Sequence, residues 1–142
     1  MSKRNKHLFV FDIFIAILKI EKVSSLYKSA DKLKHDFMAW DSVIREFEII
    51  GEASKHLIEA DIFNKEYRTI VDFRNILIHA YFGIDEDEVW HIIQHNLDDI
   101  KTLTKKVIGL LENDTKNDFI VDMVEENSHH PFIVNALNKL NG

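Results

Sequence analysis

A chain of 142 residues with one proline and four glycines has few residues suited to tight turns, and its apolar residues recur every three or four positions. Glycine and proline are the main punctuators of local structure, and a three-to-four spacing gathers apolar side chains on one face of a helix. The pattern therefore predicts an all-α protein. Its expected architecture is an up-and-down four-helix bundle with an additional helical C-terminal tail.

Four segments carry the bundle pattern. The first, about residues 7–23, is apolar on nearly every side, with Leu8, Phe9, Val10, Phe11, Ile13, Phe14, Ile15, Ile17 and Leu18. A helix without a polar face must be covered on two sides. In a four-helix domain, another subunit is the expected second cover. The second segment, about residues 37–60, shows a stripe of Trp40, Val43, Ile44, Phe47, Ile50, Leu57 and Ile58, with Arg45, Glu48 and Glu52 on its polar side. The third, residues 65–82, turns Ile70, Phe73, Leu77 and Ala80 inward and ends at Gly83, read as a left-handed cap. Asp85 opens the fourth as N-cap, with Glu88 as its capping-box partner. Its expected buried stripe is Val89, Ile93, Leu97, Ile100, Leu103, Val107 and Leu110. The expected division is a bundle domain over residues 1–112 and a helical extension over 113–142. In the extension, Phe119, Ile120, Met123 and Val124 suggest one short helix, and Pro131 opens another bearing Phe132, Ile133, Ala136, Leu137 and Leu140. It reads as a tail that packs on the bundle or one that binds a partner.

Composition narrows the function classes. The chain has no cysteine, which removes disulfides, thiolate nucleophiles and Cys-based zinc sites and makes a cytoplasmic address the default. The apolar run after the basic start is broken by Asp12 and too short to span a bilayer, so no membrane association is expected. A formal net charge of −6 argues against a broad basic surface that coats nucleic acid, so any RNA contact must be local. No Gly-rich phosphate loop is present.

The chemistry concentrates in Phe73-Arg74-Asn75-Ile76-Leu77-Ile78-His79-Ala80-Tyr81-Phe82-Gly83. Arg74 offers a permanent planar charge that can pair with phosphate oxygens, His79 can exchange a proton near neutral pH, and Tyr81 carries a phenol that can be modified. Arg74 and Tyr81, seven apart, share a helical stripe, whereas His79 is rotated by about 140° from Arg74 on an ideal helix. RNA cleavage by attack of the 2′-hydroxyl needs a base, an acid and a cation. One motif holds one histidine. Two chains about a two-fold axis would supply two His79 and two Arg74 residues to one cleft.

Arg74-Asn75, then Ile78-His79-Ala80-Tyr81-Phe82-Gly83-Ile84-Asp85, then Val89-Trp90, resembles the motif of the HepT proteins, a branch of the HEPN (higher eukaryotes and prokaryotes nucleotide-binding) superfamily. Residues 39–53 (AWDSVIREFEIIGEA) resemble that family's second helix, and the likeness runs from about Leu8 to Leu111. The resemblance implies a metal-independent, homodimeric ribonuclease with no cofactor, acting as the toxin of a toxin-antitoxin pair. It implies Arg74 and His79 as the catalytic pair and Asn75 as the residue that orients the site. It further implies Tyr81 as the tyrosine to which a partner nucleotidyltransferase, the antitoxin MntA, attaches AMP. An AMP there would occupy and repel an incoming RNA phosphate. This chain departs from many relatives in having Ile62-Phe63-Asn64-Lys65-Glu66-Tyr67-Arg68 where they carry a Pro-Trp pair, and in its long tail.

Three other constellations read as structural. His91 and His95, four apart with Glu88 and Asp98 nearby, have metal-ligand spacing but lack the His-Glu-x-x-His pattern, and a solvated face is expected. His129-His130 beside Pro131 reads as a polar turn, and Arg45 with Glu52 as an ion-pair arrangement. The competing function is a non-catalytic partner that presents RNA or another substrate to a nucleotidyltransferase. A pure adaptor has no chemical need for Arg74, His79 and Tyr81 together.

Overall fold

The computed structural model describes residues 5–64 and 83–141. Their regular structure is helical throughout, in seven helices: α1 (Leu8–Ser24), α2 (Ala30–His35), α3 (Phe37–Glu59), α4 (Glu86–His95), α5 (Leu97–Gly109), α6 (Asn113–Glu126) and α7 (Pro131–Lys139). The expected third helix, residues 65–82, lies outside the described residues.

The core is built around α1. Nine of its apolar residues, Val10, Phe11, Ile13, Phe14, Ile15, Ala16, Ile17, Leu18 and Ile20, are buried. One long side packs on α3, where Val43, Phe47, Ile50, Ala53, Leu57 and Ile58 are buried at the helical spacing read from the sequence. Other sides meet α5, α4 and α7. The C-terminal extension joins the same core: Ile120, Met123, Ile133 and Leu137 are buried in it, and Phe119 sets its ring edge-on to Phe11 at 5.8 Å. The covering that the sequence reading assigned to a second subunit thus comes in part from the chain's own tail. Pro131 opens α7 as expected, because its missing N–H falls where a helix has no partner for one.

The fourth segment differs from expectation. It is two helices that meet at Asn96 (φ −111°, ψ −25°). Beyond the junction the buried line is Leu97, Ile100, Thr104 and Ile108, while Leu103 and Val107 are only partly buried and Leu110 is 78 % exposed. The advance by one position brings a hydroxyl into the core. Thr104 satisfies it by donating to the Lys101 carbonyl at 2.7 Å, an internal bond that lets a polar side chain lie fully buried.

Local chemistry fixes the other ends. The Ser29 hydroxyl accepts the Lys32 N–H at the start of α2, and Asp36 caps α3 through the Ala39 N–H. The Tyr27 hydroxyl also donates to Asp36, which holds that carboxyl below its usual range. At the far end of α3, the Leu57 carbonyl accepts from Ile62 at 2.9 Å, and the Ile58 carbonyl accepts from Asp61. That is the double closure of a Schellman cap, with Asp61 at φ 59° in the position glycine usually takes. Aspartate tolerates this region better than most residues because its short side chain can bond locally.

Leu137→Ala is expected to cost about 2–5 kcal/mol, because it empties a fully buried site in the shared core. Leu110→Ala should fall within about 0.5 kcal/mol of the parent. Urea unfolding followed by circular dichroism compares them; equal, small losses would mean that the tail is not part of the core.

Candidate functional site

Arg74, Asn75, His79 and Tyr81 lie outside the described residues, as does the part of the Ile62–Arg68 departure from Lys65 onward. What the structure places is the frame on either side. On the entry side, the Leu57 carbonyl also accepts the Phe63 N–H at 3.1 Å and the Phe63 side chain is buried, so the chain leaves α3 from a fixed point. On the exit side, Asp85 Oδ1 accepts from the backbone N–H groups of Asp87 at 2.9 Å and Glu88 at 3.4 Å. Three acids in the first turn of α4 complement its dipole. Lys34 reaches Glu86 at 3.0 Å and ties α2 to this start, and Val89 is buried. The Glu86 carboxyl is held below its ordinary range by its own backbone N–H first and by Lys34 second.

The cap read at Gly83 belongs to the expected helix over residues 65–82, and with it lies outside the described residues. Among the described non-glycine residues, Asp61, at the opposite end of the segment, adopts positive φ.

A charged groove runs between α1 and α3. One part, about 220 Å³, is lined by Phe9, Asp12, Arg45, Glu48, Ile49 and Glu52. Its continuation, about 380 Å³, shares Asp12 and Ile49 and adds Lys19, Glu46, Glu126 and Asn127. Asp12 and Lys19, two of the charged residues of α1, are seven apart and so stand on one stripe facing the groove. Arg45 pairs with Glu48 at 3.5 Å rather than with Glu52 as the spacing suggested, while Glu52 approaches His56 Nε2 at 3.5 Å. The His56 ring stacks on Phe9 with centroids 4.5 Å apart, and its Nδ1 is buried without a hydrogen-bond partner. Sequence reasoning missed Glu46. The signal was there, since Glu46 sits between Val43 and Ile50 beside the apolar stripe, where a charge must be buried. Burial pushes its carboxyl up from the ordinary range, against the opposing pull of Lys19 and then Arg45.

The histidine pairs behave as solvated groups. His91 and His95 are exposed, with ring centroids 4.5 Å apart, and His129 and His130 are exposed at the turn before α7. Among the described residues, no group of three or more His, Asp or Glu side chains is placed to hold a metal ion. No helix there is long and apolar enough to cross a membrane.

The described helices stand on either side of the segment whose sequence carries Arg74, Asn75, His79 and Tyr81. The profile of the ribonuclease HepT-like family matches residues 14–107, and the chain belongs to that family. The protein named "Putative RNase MJ1380" of Methanocaldococcus jannaschii is 33 % identical over 104 residues, covering 71 % of this chain and 94 % of its own length. "Putative RNase MJ0127" of the same organism is 31 % identical over 122 residues, with 82 % and 98 % covered. "Probable ribonuclease HepT" of Thermococcus cleftensis is 32 % identical over 111 residues, with 74 % and 97 % covered. No solved structure matches the chain significantly. By family resemblance the chain is a ribonuclease. The matched region contains every candidate site residue and ends before α6 and α7.

Glu46→Gln is expected to raise stability at neutral pH. A carboxyl whose native pKa lies above its unfolded value contributes fully below the unfolded value, about 4.3, and loses that contribution as pH rises through the native one. The glutamine variant escapes this loss, so its advantage should vanish in acid and appear above that window. Thermal melts across pH measure it. No gain at neutral pH would mean that Lys19 and Arg45 fully offset the burial.

Proposed function

We propose that this chain is a metal-independent endoribonuclease toxin of a toxin-antitoxin pair, in which Arg74 and His79 perform the chemistry. One observation carries the reading: the family match spans residues 14–107 and so includes the whole Arg74-Asn75…His79-Ala80-Tyr81 run. The RNase names of the relatives agree with it.

The mechanism follows from the residue types. The working unit is a homodimer, because acid and base are both required and each motif has one histidine. This dimer rests on the chemistry of the motif; the apolar surface of α1 no longer argues for it. His79 of one protomer removes the proton from an RNA 2′-hydroxyl, and the 2′ oxygen forms its bond to the adjacent phosphorus. The bond from phosphorus to the 5′ oxygen breaks, and that oxygen takes a proton from the second His79. Arg74 pairs with the non-bridging oxygens as their negative charge grows, and Asn75 orients the site. The products are a 2′,3′-cyclic phosphate and a 5′-hydroxyl.

Regulation falls to Tyr81. A nucleotidyltransferase antitoxin of the MntA kind would transfer AMP from ATP to its phenolic oxygen, releasing pyrophosphate. The added phosphate then repels the RNA backbone and its nucleoside fills the cleft. In this reading the toxin acts on RNA in the cytoplasm. A non-catalytic role as the RNA-binding or substrate-binding partner of such a transferase is the second reading; catalysis by the purified chain decides between them.

His79→Ala and Arg74→Ala should each lower RNA cleavage by on the order of a hundredfold or more while leaving the helical spectrum unchanged. Parental activity should persist in EDTA and leave the cyclic phosphate or its 3′-phosphate hydrolysis product. Full activity in either variant, or loss in EDTA restored by metal, would refute the assignment. Co-expression with the transferase tests the switch: Tyr81→Phe should keep toxicity, escape neutralisation and gain no AMP in intact-mass spectrometry. AMP on Tyr67 or Tyr27 instead would displace Tyr81.

A further inference from the structure

The formal charge of −6 is not spread evenly over the fold. A cavity of about 440 Å³ between α1, α5 and α7 is lined by Lys101, Lys105 and Lys139, by Asn135 and by the ring of Phe132, and no carboxylate lines it. Lys22 joins from α1, its ammonium 5.5 Å from the centroid of the Phe132 ring. Lys101 is partly neutralised by Glu21 at 2.9 Å. Lys22, Lys105 and Lys139 are exposed.

We infer that this cavity is a binding subsite for single-stranded RNA, with lysines on the phosphates and Phe132 as a stacking surface for a base. Single-strand sites combine a basic groove that tracks the backbone with aromatic rings on which bases stack. Both parts are here. The volume lies within the range of ~300–1,000 Å³ that seats a small ligand, which suits a nucleotide unit better than the broad face of an acidic protein. Lys22 over the ring adds a cation that can turn from the aromatic face to a phosphate. The inference rests on the ribonuclease reading only for the choice of RNA as ligand. It also gives α7, which lies beyond the family match, a task in addition to covering α1.

The test uses the full chain and a fluorescent 2′-O-methyl oligouridine, which binds as RNA does but lacks the hydroxyl needed for cleavage. Lys105→Gln/Lys139→Gln should weaken binding about tenfold or more. It should also flatten the dependence of log Kd on log salt by about 1.4, since each phosphate contact on a single strand contributes about 0.7. Phe132→Leu, which keeps an apolar filler in the core, should weaken binding about fivefold or more with an unchanged salt slope. Circular dichroism and melting temperature confirm that each variant is folded. Unchanged affinity and slope in the folded double-lysine variant would overturn the site. So would equal competition by polyglutamate with no effect of Phe132→Leu, which would assign the cavity to acidic protein segments. The arms separate the two proposals. Tight binding of the oligonucleotide without cleavage of ordinary RNA removes the ribonuclease reading and leaves the subsite. Cleavage that is as fast and as salt-dependent in the double-lysine variant as in the parent removes the subsite and leaves the ribonuclease.

Discussion

Burial of α1 is the constraint from which the rest of the arrangement follows. Nine apolar residues between Val10 and Ile20 must leave water, and each large one contributes ~1.5–3 kcal/mol when it does. A single partner helix covers a single stripe. Among the described residues, α3 covers one side of the helix, α5 and α4 cover others, and the α6–α7 pair covers a further part. Between Val10 and Ile20, Asp12 and Lys19 interrupt the apolar surface, and they mark one line along which α1 stays in reach of solvent. The charged groove is therefore the residue of an incomplete enclosure: on this flank Asp12 and Lys19 face the polar side of α3.

Much of this was legible because it is local. The Asp85 cap, the Pro131 start and the α3 stripe each depend on residues within one or two turns, and each stands where the spacing put it. Failures occurred where a local signal was ambiguous or a distant partner decided. Asn96 carries no strong breaking signal, yet the helix is interrupted there, which moved the buried line from Leu103 and Val107 to Thr104 and Ile108. A left-handed closure falls at Asp61, where no glycine signals it in the sequence. What covers α1 was a question of tertiary contact, and no periodicity within α1 could answer it. The candidate site divides in the same way. Its residue types and spacing were readable, while its mounts, the Phe63 anchor and the Asp85 cap, show only how the chain enters and leaves the segment.

The lysine cavity was illegible for a plainer reason. Lys22, the Lys101 and Lys105 pair, and Lys139 are spread over most of the chain and interspersed with acids, so they form no basic block along the sequence. Folding sorts them. The α1–α3 groove collects Asp12, Glu46, Glu48, Glu52 and Glu126, and the α1–α5–α7 cavity collects lysines. Both use the same central helix, because its opposite flanks are left open by different neighbours.

This separation bears on how an acidic protein can handle a polyanion. Exposed charges farther apart than about 8 Å are largely screened at physiological salt, so a phosphate responds to the charges beside it more than to the net −6. A basic cavity on one flank and an acidic groove on another therefore act almost independently, one attracting a strand and the other excluding it. Such a surface orients RNA more than it concentrates it. Orientation is also what cleavage by an internal 2′-hydroxyl demands, since the attacking oxygen and the leaving oxygen must lie in line across phosphorus before any proton moves. An extension that adds grip without adding a general positive charge fits that demand, because it strengthens binding along one path and leaves the remaining surface unattractive to nucleic acid.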